Sequence, residues 1–145
     1  MGLFDPISTA MSGVDASETW LNAISDNIAN MNDVTSTSQA AYQERFVVMQ
    51  AVPGQSGGTG SGAASDATIG SGVAVAGVAL GSPEGVEEYD PGNPLADKNG
   101  MVRAADVDLG QQMTNMMLAQ RGYEANLATI SQAENAYQAA LGLKV

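Results

Sequence analysis

Apolar residues recur at helical spacing at both ends of the chain and lose that spacing in between. From the N-terminus, Leu3, Ile7, Ala10, Val14, Ser17, Leu21, Ile24, Ile28 and Met31 follow at alternating steps of 4 and 3. Eight of these nine positions are apolar, and the exception, Ser17, is small. This is a heptad stripe held for about four heptads, the pattern of an amphipathic helix that packs along one face. Asp5 stands where a side chain can cap free amides, and Pro6 where a first helical turn tolerates proline. The stop is expected between Asn30 and Asp33, because Asn and Asp tolerate the left-handed conformation that ends helices.

A second stripe runs Leu109, Met113, Met116, Gln120, Tyr123, Leu127, Ile130, Glu134, Tyr137 and Leu141, with the same alternating steps. Asp108 with Gln111 approximates a capping box at its start. Gly142 is placed to stop it, and Lys144 suits the negative end of the helix dipole.

Between the stripes the pattern is loose. Val34 to Ser38 reads as loop or extended chain, and Tyr42 to Val52 as extended chain, because Phe46, Val47, Val48 and Val52 favour it. Residues 53–72 are nearly all Gly, Ser, Ala or Thr. Such a composition buries too little apolar surface to offset its ordering entropy and reads as a flexible loop. A short strand is expected from Gly72 to Leu80, with a possible return strand from Gly85 to Tyr89. Asp90-Pro91-Gly92-Asn93-Pro94 and Asn99-Gly100 are turns.

The expected fold is therefore mainly α. Two long terminal amphipathic helices pack as a coiled-coil-like pair, around a small extended or β-hairpin middle segment and a flexible Gly/Ser-rich loop. The expected boundaries are 1–33, 34–52, 53–72, 73–105 and 106–145. Small residues at Ala10, Ser17 and Gly122 would let the helices approach closely. Two helices alone make a thin core. Either the pair is an ordinary antiparallel hairpin, or it completes its packing against other chains.

Composition then narrows the chemistry. The chain has 145 residues, no cysteine and no histidine. That removes imidazole and thiolate catalysis, disulfides, and zinc or haem sites built on His or Cys. Sixteen acids against five bases give a formal net charge of −11, which argues against nucleic acid and anionic lipid as partners. No apolar run reaches the roughly 18–20 residues of a membrane span, and the first residues do not resemble a cleavable secretory signal. An amphipathic membrane helix would need flanking basic residues, and none occurs before Arg45. Asp90, Asn93, Asp97 and Asn99 resemble a calcium loop but miss its spacing. Asp106 and Asp108 read as caps, and the glycines form no phosphate-binding motif. No catalytic, metal or cofactor site is expected, and an enzyme is disfavoured.

Several blocks resemble one family. Leu21-Asn22-Ala23-Ile24-Ser25-Asp26 followed by Asn27-Ile28-Ala29-Asn30 is similar to the N-terminal signature of flagellar rod, hook and hook-associated proteins. Tyr42-Gln43-Glu44-Arg45 resembles the segment that follows it. Tyr89 to Pro94 with Ala96 to Val102, Val107-Asp108 leading into Met113 to Met117, and Ala119 to Asn126 resemble the turn region and C-terminal helix of its small rod members. The resemblance implies a structural subunit of the bacterial flagellar rod, exported unfolded by the flagellar type III apparatus. It would assemble helically in the periplasm, its terminal helices forming an inner tube that transmits torque. The implied partners are other copies, neighbouring rod proteins, and basal-body ring and export-gate components. Stripes and motifs together place the assembly interface at Leu3, Ile7, Val14, Leu21, Ile24, Asn27, Ile28, Asn30, Met113, Met116, Arg121, Tyr123, Glu124, Asn126, Leu127 and Ile130. The rival reading is a secreted helical-hairpin protein with a non-flagellar binding role.

Overall fold

The computed structural model describes residues 5–53 and 70–142. Leu3, and the Gly/Ser-rich loop expected over 53–72 except at its two ends, lie outside the described residues. Helix α1 spans Asp5–Ala29 and helix α2 spans Leu109–Gly142. At 1.5 Å per residue they are about 37 and 51 Å long.

The pair is antiparallel and in constant register. Gly13 meets Asn126, Ser17 meets Gly122, and Asn27 bonds Gln112, so each step forward on α1 is matched by an equal step back on α2. The helices come very close: a β-carbon built on Gly13 would lie 2.6 Å from Asn126 Nδ2. One end of the pair is flush, where Ala29 stands opposite the start of α2. At the other end α2 runs on past Asp5, carrying Tyr137 and Leu141.

Both helix starts and stops have local causes. The Asp108 carboxylate accepts the Gln111 N–H at 3.0 Å, which caps α2. The expected capping box is only half formed, because the Gln111 amide turns forward to Asn115 Oδ1 instead of back to Asp108. After α1 the chain leaves through turns bonded Met31 N–H to Ile28 C=O and Asp33 N–H to Asn30 C=O. Among the described residues no non-glycine has a positive φ, so the expected left-handed stop is not used. The Asn30 side chain instead covers the Asp26 carbonyl at 2.7 Å.

The middle of the chain corrects the fold expected from sequence. It is not one small hairpin beside a mainly α pair. Among the described residues it holds five antiparallel strands in two sheets: β1 Val34–Ser36, β2 Arg45–Ala51, β3 Val73–Leu80, β4 Val86–Tyr89 and β5 Met101–Ala104. The expected pairing of the Gly72–Leu80 strand with its Gly85–Tyr89 neighbour does not occur. β3 pairs β2, and β4 pairs β5, which also pairs β1, giving the order β1-β5-β4. The reason is topological: β1 and β5 lie more than sixty residues apart, so no local pattern announces their pairing.

The three-stranded sheet sits at the flush end, since β1 follows α1 and β5 precedes α2. Its tightest point is Gly85, with φ of +57°. A β-carbon there would collide with the Ala104 carbonyl oxygen and with Ala41. The β2–β3 hairpin lies along the side of α1. At one end Asn27 bonds the backbone of Arg45, and at the other Ser12 Oγ accepts the Val73 N–H at 3.1 Å.

The apolar core is thin. Its buried members are Ala10, Val14, Ala16, Ala23, Ile24, Ala41, Val102 and Ala119, five of them alanine.

Candidate assembly interface

On α1 the predicted stripe is largely covered. Val14 and Ile24 are buried, and Ile7, Leu21 and Ile28 are half-buried. The same helix turns Ala16 and Ala23, both buried, toward the hairpin side, so α1 is packed on two flanks.

On α2 the expected coiled-coil seam is overturned. Residues on the α1 side of α2 include Gln112, Ala119, Gly122 and Asn126. These are small or polar, unlike the large apolar knobs expected along both seams. The predicted stripe is rotated so that only one edge of it lies at this seam. Its inner members Met116, Tyr123 and Ile130 are half-buried, while Leu109, Met113 and Leu127 are 42, 52 and 42% exposed. Met117, farther round the same side, is 53% exposed, while Leu118, 50% exposed, lies on the opposite side of the helix. The close seam leaves α2 with an apolar flank of Leu109, Met113, Met117 and Leu127 that the described residues cover only in part. Arg121 and Glu124 are exposed on the same helix, and Asn126 is half-buried with its amide on the Gly122 carbonyl at 2.9 Å.

Asn27, expected at the interface, is only 1% exposed and fully engaged inside the protomer. Its Nδ2 donates to the Arg45 carbonyl and to Gln112 Oε1, both at 3.1 Å. Its Oδ1 accepts the Arg45 N–H at 2.8 Å and the Tyr42 hydroxyl at 3.1 Å. The side-chain amide thus pairs with the Arg45 backbone as a neighbouring strand would, and occupies the outer edge of β2 at that point. Gln112, also 1% exposed, passes the network on through Nε2 to Glu44 Oε1 at 2.6 Å. Arg45 closes it from outside with a surface ion pair to Asp26. Burial raises the Tyr42 hydroxyl above its usual pKa, and the nearby Asp26 and Glu44 carboxylates add to this against the opposing effect of Arg45. One asparagine therefore joins α1, α2 and β2. Sequence reasoning singled out Asn27 from its motif and Glu44 only as part of the Tyr42–Arg45 block, and it missed Gln112, whose one signal was a polar residue on the inner face of α2.

The candidate calcium-loop residues hold turns instead. Asp97 Oδ1 accepts the N–H groups of Asn99 at 2.7 Å and Met101 at 3.0 Å, and these bonds hold its carboxyl below the usual range. Asn93 Oδ1 accepts the Leu95 N–H. Among the described residues no group of three or more acidic side chains is placed to hold a metal ion. Among the same residues no helix is long and apolar enough to cross a membrane.

Comparison with known proteins reaches both ends of the chain. The family described as flagella basal body rod protein matches residues 7–35, and the C-terminal family of flagellar basal body rod FlgEFG proteins matches residues 98–143. The flagellar basal-body rod protein FlgC of Salmonella typhimurium is 35% identical over 133 residues, covering 90% of each chain. That of Agrobacterium fabrum is 34% identical, covering 88% of each. That of Borreliella burgdorferi is 30% identical over 149 residues, covering 99% of this chain and 98% of its own.

Proposed function

The chain belongs to the FlgC family of flagellar basal-body rod proteins and is a structural subunit of the flagellum's rod, and from that premise we propose that it assembles through the apolar flank of α2. Rod membership places it in the basal body, among other rod and basal-body proteins. Export by the flagellar type III apparatus, passage through the ring and export gate, and a final position in the periplasm are part of the same reading. So is the absence of any catalytic role.

The observation that carries it is the rotation between seam and stripe. α1 takes up the small face of α2 and leaves Leu109, Met113, Met117 and Leu127 about half exposed along one flank. A helix of a neighbouring subunit packing there would bury area worth roughly 25 cal/mol per Å². With so few large residues in its own core, the folded protomer is stabilised further by that contact. Torque then passes along interlocked helices, whose long contact resists sliding.

Deletion of the gene is expected to give non-motile cells whose basal bodies lack a complete rod, with both defects restored by the wild-type chain. Normal rods and swimming in the deletion strain would contradict the reading.

A further inference from the structure

The β2–β3 hairpin has two outer edges, and among the described residues no third strand pairs with either. The hydrogen-bond alternation of an antiparallel ladder tells which backbone groups face outward. Arg45 turns its N–H and C=O away from β3, to Asn27, and Val73 turns its N–H away from β2, to Ser12. By the pairing register, the outward residues are then Arg45, Val47, Met49 and Ala51 on β2, and Val73, Val75, Val78 and Leu80 on β3, with Ala76 the extra residue of a bulge. Side chains of α1 occupy one end of each edge. The remaining groups, from Val47 to Ala51 and from Val75 to Leu80, stay open.

Protected edge strands usually carry charge, proline or a covering element. β3 is VAVAGVAL, with neither charge nor proline, and Val78 and Leu80 are 47 and 60% exposed. Its bulge distorts only the middle, so Gly77 to Leu80 stays regular. Beside it, an open groove of about 350 Å³ is lined by Val78, Leu80, Arg45 and the α1 residues Thr19, Asn22, Ala23 and Asp26. Charge favours a second copy as the occupant. The chain carries −11 in total, yet residues 45–53 and 70–80 contain no acid, and the acid that lines the groove, Asp26, is ion-paired to Arg45. Two copies can therefore meet along these edges with little of the like-charge repulsion that the net charge would otherwise impose. The two open edges are also matched in length, and joining one to the other is a heterologous contact that repeats from copy to copy.

We infer that the open β3 edge of one copy adds to the open β2 edge of the next, so that hairpins of successive copies form a continuous sheet. This rests on the rod-subunit reading and adds a backbone-mediated contact distinct from the α2 flank.

Two variants test it. The chain has no cysteine, so single cysteines can be placed cleanly. Cells co-expressing Val48→Cys and Ala79→Cys chains are expected to yield, after mild oxidation of isolated basal bodies, a disulfide-linked dimer of the two unlike chains. Neighbouring strands bring paired Cα atoms to about 5 Å, which suits a disulfide. Val78→Pro removes an outward N–H and no ladder bond. It is expected to leave amide-exchange protection in the β2–β3 ladder unchanged while lowering rod yield at least tenfold. Normal rods with Val78→Pro overturn the inference. So do intact rods that give no unlike dimer, only like-with-like dimers, or a link from Ala79→Cys to a different rod protein. In each of those outcomes the chain is still found in rods and the rod reading stands; absence of the chain from rods in wild-type cells defeats the rod reading itself.

Discussion

Asn27→Ala is expected to destabilise the protomer by about 3 kcal/mol, among the largest effects of any single substitution. The asparagine makes four hydrogen bonds at 1% exposure. Truncation removes all of them and leaves Gln112 Oε1 without its donor in a buried site. Asn27→Asp is expected to be at least as damaging, although it keeps the shape. It retains both acceptors, for the Arg45 N–H and the Tyr42 hydroxyl, but sets a carboxylate oxygen against the Arg45 carbonyl and Gln112 Oε1. Gln112 cannot rescue it by turning its amide over, because its own oxygen would then face Glu44. Limited proteolysis of the purified chain in native buffer measures this, since cleavage follows the population of open forms. Cleavage should accelerate at least tenfold in both variants. Wild-type rates in Asn27→Asp would show that the network contributes little.

Leu127→Asp is expected to abolish rod assembly while leaving the protomer's helix content unchanged. Leu127 is 42% exposed in the protomer, so an aspartate there meets water. In the rod the remaining exposed part of the side chain would be buried against a neighbour, so the substitution loses about 1 kcal/mol of apolar burial per copy and adds a desolvated charge. The loss recurs at every subunit. Ile24→Asp makes the comparison: at 1% exposure it puts a charge into the protomer's own core and should destroy fold and assembly together. Motility plates, basal-body electron microscopy and circular dichroism of the purified variants separate the two. Swimming by cells carrying Leu127→Asp would remove α2's flank from the interface.

The sequence made the two helices legible because each carries a long period-3.5 stripe, and their ends because Asp108 and the Asn30–Asp33 run are local signals. The strand segments were partly legible from β-branched residues such as Val47, Val48, Val73 and Val75. Their pairing was not, since β1 finds β5 and β2 finds β3 only after the chain has folded back over long separations. The apolar face of α2 was legible, but the seam it was expected to form with α1 was not. A stripe shows which face of α2 is apolar, but not that Gly13, Ser17, Gly122 and Asn126 let α1 settle beside that face. Asn27 stood out by its motif, yet its role depends on Arg45, Tyr42 and Gln112, which are brought together only by the fold.

On the proposed mode of assembly, α2's apolar flank is open in the protomer and covered in the rod. Because the chain has no native cysteine, Met113→Cys, Met117→Cys and Leu127→Cys can each be labelled with a maleimide, in the purified chain and in isolated basal bodies, with Glu88→Cys on the exposed strand β4 as reference. The three flank positions are predicted to react readily in the free chain and at least tenfold more slowly in basal bodies, relative to Glu88→Cys. Equal relative reactivity in the two states would contradict the claim.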